Sequence, residues 1–358
     1  MGIRYTFPVW LFQSERITPV KVLITGAAGF IGSHITKAFC RRHAVTVLVR
    51  KRSRRDFLAR YPVNVLEGDL RDKLSIEAAV KDQELIVHAG GKVGDWGPYQ
   101  DFLETNVEGS LHLIEAVAPV TRVIFLSSCA VLGEEDCPEP KEEGAPYKPV
   151  CPYAFESILP SGMNHYRITK TIAEQMLIQK ATLKGVDLSV IRPVWVFGPR
   201  EFHAGPYEYC KTVLDGLPAM AGSRRNRLHV IFVEDLARLI LRVAEKQKPG
   251  IHVYTAGNPE VPLMDDYWAL YCKALGRPKP PIFPPFLLYP LAILLELLWT
   301  FAGAKEPPLI TRARLYMFRA SNVYGTRKLQ EDFGFDAFTP LDRAVRKTVR
   351  WWRLNGYL

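Results

Sequence analysis

Val20-Lys21-Val22-Leu23-Ile24-Thr25-Gly26-Ala27-Ala28-Gly29-Phe30-Ile31-Gly32 is the stretch on which the fold turns. A run of aliphatic and β-branched residues, the pattern of a buried strand, stops at a glycine and passes into a 3.6-residue apolar period. The glycines therefore fall on a strand-to-helix turn. Gly26 permits the tight turn, Gly29 lets a pyrophosphate approach the backbone, and Gly32 lets helix and strand pack closely, with free N–H groups and the positive end of the helix dipole facing the phosphates. Ala28, Phe30 and Ile31 complete the candidate cradle for a dinucleotide. An isolated glycine triplet is an ordinary turn; its position here makes it informative.

Outward from the cradle, the chain repeats the same rhythm. Strands are expected at 20–25, 45–49, 63–66, 85–89, 123–127 and 188–191, with helices at 31–42, 75–81, 99–117 and 164–184. Alternation of this kind predicts an α/β fold, a doubly wound parallel sheet covered by helices on both faces. After Pro193 the elements shorten between prolines, which divides the chain into an N-terminal extension (1–19), a dinucleotide-binding domain carrying the catalytic residues (20–193) and a smaller, mainly helical C-terminal substrate-binding region (194–358) that returns some elements to the core. Open α/β sheets place ligands at the carboxyl ends of their strands.

With 48% hydrophobic and 23% charged residues in 358, the composition excludes disordered, collagen-like and small disulfide-stapled classes. The net charge of +10 favours an anionic partner, yet no aromatic-basic recognition module accompanies it, and nucleic acid is not expected. Six scattered cysteines suggest a reducing compartment. Neither they nor the eight histidines show a ligand spacing, so no metal is expected. The first 19 residues lack the uninterrupted apolar core of a signal peptide.

The second strand runs into Arg50-Lys51-Arg52-Ser53-Arg54-Arg55, with no acid before Asp56. An NAD site usually carries a carboxylate there for the ribose 2′-hydroxyl. Guanidinium groups suit a 2′-phosphate instead, so Arg50 and Arg52 favour NADP, with NAD the other candidate. Further on, Tyr166-Arg167-Ile168-Thr169-Lys170 sets a phenol and an ammonium one helical turn apart on a single face. A free tyrosine titrates near 10, and lowering it by about three units costs roughly 4 kcal/mol, which a nearby ammonium and a positive nicotinamide ring can supply.

The GxxGxxG spacing and the YxxxK together resemble the extended branch of the short-chain dehydrogenase/reductase superfamily, whose nucleotide domain is Rossmann-type. The resemblance covers most of the chain. It adds Gly68-Asp69-Leu70, like the pair that brackets the adenine; His88-Ala89-Gly90-Gly91, like the glycine-rich turn beneath the cofactor; and Thr105-Asn106-Val107-Glu108-Gly109, like the family's TNVxG stretch. Ser127-Ser128-Cys129-Ala130-Val131-Leu132-Gly133 resembles its catalytic strand end, and Arg192-Pro193-Val194-Trp195-Val196-Phe197-Gly198-Pro199 its RPxxxYGP segment, with Phe197 in place of tyrosine. The resemblance implies Ser128, Tyr166, Lys170 and Asn106 as catalytic residues. It implies cofactor contacts from Asp69, Leu70, His88, Ala89, Gly90, Pro193, Tyr166 and Lys170, and hydride transfer between nicotinamide and a carbonyl or secondary alcohol. Asn106 would support the lysine; His165, on a different helix face from Tyr166, reads as structural.

Within that branch the chain is most similar to the 3β-hydroxysteroid dehydrogenases, sterol-4-carboxylate 3-dehydrogenases and β-keto-acid reductases, on the strength of residues 91–99, an apolar segment at 286–302 and the closing helix from 333 to 352. The expected partner is a small apolar substrate. A nucleotide-sugar epimerase or dehydratase with retained NAD is the rival enzyme, and a non-catalytic dinucleotide-binding module the rival outside enzymology. Residues 286–302 are read first as a buried helix, second as a peripheral membrane contact, and least as a span, being short and broken by Pro290 and Glu296. A cytoplasmic enzyme is expected, with a peripheral foothold on the cytoplasmic membrane face as a further candidate, and the superfamily's helix-pair homodimer is a candidate assembly. The proline-rich stretch 134–165 has two readings, a lid over the pocket or inert packing.

Overall fold

A computed structural model describes residues 18–137, 139–202, 205–216, 220–223 and 225–358. Almost all of the expected N-terminal extension, together with Pro138, His203 and Pro218, lies outside them. Seven strands, β1 (Lys21–Thr25), β2 (Ala44–Val49), β3 (Val63–Glu67), β4 (Leu85–His88), β5 (Arg122–Leu126), β6 (Leu188–Pro193) and β7 (Ile251–Ala256), form one sheet in the order β7-β6-β5-β4-β1-β2-β3. Every pairing is parallel. The chain reverses direction of travel between β1 and β4, where Thr25 pairs with His88 in register. That switch point opens a crevice at the strand ends.

Both faces of the sheet are covered, which explains the continuous apolar runs. On one side α1 (Phe30–Phe39) and Val233–Glu245 bury Ile35, Phe39, Leu236 and Ile240. On the other, α2 (Lys73–Val80), α3 and α4 (Gly162–Lys184) bury Ile76, Ile114, Leu113 and Leu177. Here α3 denotes the unbroken succession of Tyr99–Phe102, a π-helical turn Leu103–Glu108 and Gly109–Ala116. The regular helix expected at 99–117 therefore carries a π insertion at Asn106, and such insertions gather at functional sites. Helix α4 begins two residues before the expected 164, because Ser161 caps it by accepting from the Met163 N–H, and ends at Gly185 in left-handed conformation.

The seventh strand was not among the expected ones. Ile251–Ala256 and Val233–Glu245 return from beyond Pro193 to the sheet, while a second core rich in aromatics, with Trp268, Tyr271, Phe232 and Trp352 fully buried, forms beside it.

The apolar segment forms α5 (Pro285–Phe301), and its first reading as a buried helix is corrected. Only Ala292 and Glu296 are buried, while Phe286, Leu287, Leu291, Leu294, Leu298 and Phe301 face out. The reason lies in its anchor. Glu296 makes a buried ion pair with Arg312 at 2.7 Å, and that guanidinium also donates to the carbonyls of Ala154 and Leu159. A helix held by its one carboxylate turns its hydrocarbon away. Among the described residues no helix is long and apolar enough to cross a membrane.

Candidate active site

The glycine turn forms as the spacing requires. Gly26 has φ +72°, and a Cβ there would stand 2.7 Å from the backbone of Ala89 and Gly90; a Cβ on Gly32 would stand 2.2 Å from the Gly26 carbonyl. Strand, turn and helix touch through backbone alone. Gly29 caps α1 without a side chain, so the first N–H groups of the helix stay available to an anion. These features fit a dinucleotide pyrophosphate.

Thr25 binds the two halves of the crevice together. Its hydroxyl meets His88 Nδ1 at 2.7 Å and accepts from the Gly90 N–H at 3.1 Å, and His88 Nε2 meets Ser110 Oγ at 3.0 Å. Burial holds His88 neutral, lowering its pKa to about 3. The ring thus lies beneath the turn and supports it, in contrast to the expectation that His88 touches the cofactor. Ala89 and Gly90 carry the surface instead, with Leu70 packed against Gly90.

An open cleft of about 670 Å³ lies beyond the ends of β2 and β3, lined by Arg50, Lys51, Arg52, Ser53, Asp69 and Arg71 among others. It brings the expected Arg50, Arg52 and Asp69 together, whereas Leu70 lies against Gly90. Arg71 engages the Asp69 carboxylate through two bonds of 3.0–3.1 Å, which holds its pKa below the usual range. Arg54 and Arg55 pair with Asp56 and Glu67; among the described residues Arg50 and Arg52 make no ion pair.

On the other side of the turn, a cavity of about 360 Å³ is lined by Ser128, Tyr166 and Lys170 together with Phe30, Ile31, Gly90 and Pro193. Ser128 stands just past β5, its hydroxyl accepting from the Ala130 N–H at 3.2 Å. Tyr166 and Lys170 project from the first turns of α4. Burial pushes the Tyr166 phenol up to about 12, opposed by its hydrogen bond with Ser128. Burial pulls Lys170 down to about 7, partly offset by the Glu174 carboxylate, and its ammonium donates to the Leu126 carbonyl at 2.6 Å above the Phe125 ring. Phenol and ammonium share the helix face as expected, and in the chain by itself the ammonium is drawn to a strand-end carbonyl.

Asn106 is fully committed. Its amide exchanges two bonds with the Lys92 backbone, at 2.7 and 3.0 Å, and donates to Thr169 Oγ1 at 3.1 Å. It ties the turn at 90–92 to α4 beside Lys170. Contacts from distant sequence, which local patterns did not reveal, complete the walls. Arg167 is buried, paired with Glu134 and bonded to the Tyr153 hydroxyl at 2.8 Å. Glu134, Met163 and Arg167 line the cavity, as do Trp195, Phe202 and Leu228 of the C-terminal region. The stretch 134–165 therefore borders the site and braces the start of α4.

A family model, the NAD dependent epimerase/dehydratase family, matches residues 22–257. The chain belongs to that family. Among its relatives, a 2-alkyl-3-oxoalkanoate reductase of Stenotrophomonas maltophilia is 25% identical over 92% of this chain and 98% of its own length. Sterol demethylase protein B of Methylococcus capsulatus is 29% identical over 94% and 99%. Of solved structures, that of gox2253 matches with a TM-score of 0.75 at 26% identity, covering 94% of this chain and 99% of the other. The family member described here is an oxidoreductase of the extended short-chain type.

Proposed function

We propose that the protein interconverts a ketone and a secondary alcohol on an apolar substrate, of sterol or β-keto-acid type, with NADP(H) in preference to NAD(H). One observation carries the reading: Ser128, Tyr166 and Lys170 line a single cavity that borders the glycine turn on one side and apolar walls on the other. When bound, the cofactor supplies hydride exchange at the substrate carbon. Tyr166 gives or takes the proton on the substrate oxygen, and Ser128 donates a hydrogen bond to that oxygen. A phenol near 12 is a poor base at neutral pH; Lys170, once protonated, supplies the positive charge that lowers it and also holds the nicotinamide ribose. Asn106 keeps Lys170's helix in place against the turn at 90–92. The names of the oxoalkanoate and sterol relatives support the substrate class, and the missing carboxylate after β2 supports NADP(H).

The substrate arrives from a lipid surface in this reading. Leu287, Leu291, Leu294, Leu298 and Phe301 recur at spacings of three and four along α5 and form an exposed stripe, with Phe301 87% exposed. Ile158 and Phe155 are exposed on the neighbouring segment that Arg312 ties to α5. The cavity wall is close by: Trp96, next to the lining residue Asp95, donates to the Ala304 carbonyl at 2.8 Å.

The test is turnover of NADPH and NADH on 3-oxo sterols, 2-alkyl-3-oxoalkanoates and UDP-sugars. Turnover of an apolar ketone with NADPH supports the reading. Activity confined to UDP-sugars, with NAD retained through purification, favours an epimerase.

A further inference from the structure

The arginines expected to select the cofactor lie in the loop after β2, but another guanidinium reaches the same region from the far side of the sequence. Arg200 follows Gly198-Pro199 and adopts φ +72°, a left-handed conformation that a bulky residue rarely takes and that clusters at functional sites. Its Nε donates to Ser33 Oγ at 3.0 Å and an Nη to the Ala28 carbonyl at 3.4 Å. The guanidinium lies 4.3 Å from the centre of the Phe57 ring. It is therefore pinned where the glycine turn meets the loop running from Arg50 to Phe57. The carbonyl of the preceding Pro199 accepts from His34 Nε2 at 2.9 Å, which fixes the backbone against α1.

No carboxylate neutralises this cation among the described residues. Its charged neighbours are Arg54 and Arg60; His34, Tyr61 and Tyr357 are further titratable groups that act on it, and burial together with the two arginines lowers its pKa. A half-buried guanidinium with N–H donors to spare, set among like charges, is stabilised by an anion. The side on which it sits selects which anion. Phe30 and Ile31 of the turn line the substrate cavity, whereas Arg200 contacts Ala28, earlier in the turn, and Phe57, in the segment that follows β2, and the residues after β2 are where such folds hold the adenosine ribose.

We propose that Arg200 is a specificity-determining residue that recognises the 2′-phosphate of an adenine dinucleotide, reaching it over Ala28 from beyond the sheet. The assignment rests on the dinucleotide reading above and deepens it. Arg50 and Arg52 then face the phosphate from solvent, and Arg200 is its desolvated, pre-positioned contact.

Fluorescence titration of NADPH and NADH tests it on the wild type, Arg200→Met and Arg200→Lys. The wild type binds NADPH more tightly; Arg200→Met weakens NADPH by about tenfold or more while NADH stays within about twofold, which also shows that the variant is folded. Arg200→Lys falls between, and adenosine 2′,5′-bisphosphate loses affinity in parallel with NADPH. An unchanged NADPH affinity in Arg200→Met overturns the assignment. So does equal weakening of both dinucleotides, and so does a wild type that prefers NADH. A wild type that binds neither dinucleotide strikes down the functional reading itself, which separates the two failures.

Discussion

Tyr166 stands on the cavity wall with a phenol raised by burial to about 12, so its proton is held until a positive charge comes close. Replacing it with phenylalanine removes the proton carrier and leaves the fold untouched. Tyr166→Phe is expected to lower kcat by about 10²-fold or more, with NADPH affinity within about twofold by fluorescence titration. A second residue-scale expectation concerns acid. His88, His34 and His229 have folded pKa values lowered to about 3, 4 and 4 by burial. Below their ordinary 6.5 the unfolded chain binds protons that the fold refuses, so stability falls as pH drops from about 6.5 towards 4, by up to about 1.4 kcal/mol per pH unit for each histidine. Tm measured across that range shows the fall, and His88→Gln makes it shallower.

At the scale of elements, the glycine turn, the second-strand arginines and the phenol-lysine pair were legible because each is a local pattern with its own periodicity. What holds them was not. The π turn at Asn106 depends on a bond to Thr169, 63 residues away, and the outward face of α5 depends on the Glu296–Arg312 pair. Apolar composition at 286–302 could not say which face is buried. Glu296→Ala leaves a buried guanidinium without its carboxylate and is expected to cost about 3–5 kcal/mol, read by urea denaturation. It also frees the segment around Ala154 and Leu159 that Arg312 holds, so KM for an apolar ketone rises more than kcat falls.

The whole molecule joins two regions that the sequence order separates. The rhythm of strands and helices up to 193 marked the sheet, and a return of some later elements to it was expected; which ones return, β7 and the helix Val233–Glu245, was not legible, because each reads locally like any other strand or helix. The cavity likewise takes walls from both regions, which is why Phe202 and Leu228 escaped a reading by motifs; Arg200, bonded to Ser33 from 167 residues away, escaped it for the same reason. The stripe on α5 belongs to this scale too. The protein is expected to co-float with anionic phospholipid vesicles, and Leu294→Glu with Leu298→Glu to abolish flotation while turnover of a detergent-free, water-soluble ketone is retained.

Hydride transfer at the cavity is followed most directly with NADPH deuterated at nicotinamide C4 and an apolar 3-oxo substrate, the product alcohol being read by mass spectrometry. Deuterium on the carbinol carbon, formed by the wild type and all but lost in Tyr166→Phe, is the result predicted. A wild type that transfers no deuterium to any apolar ketone, or a Tyr166→Phe variant that transfers it at the full rate, contradicts it.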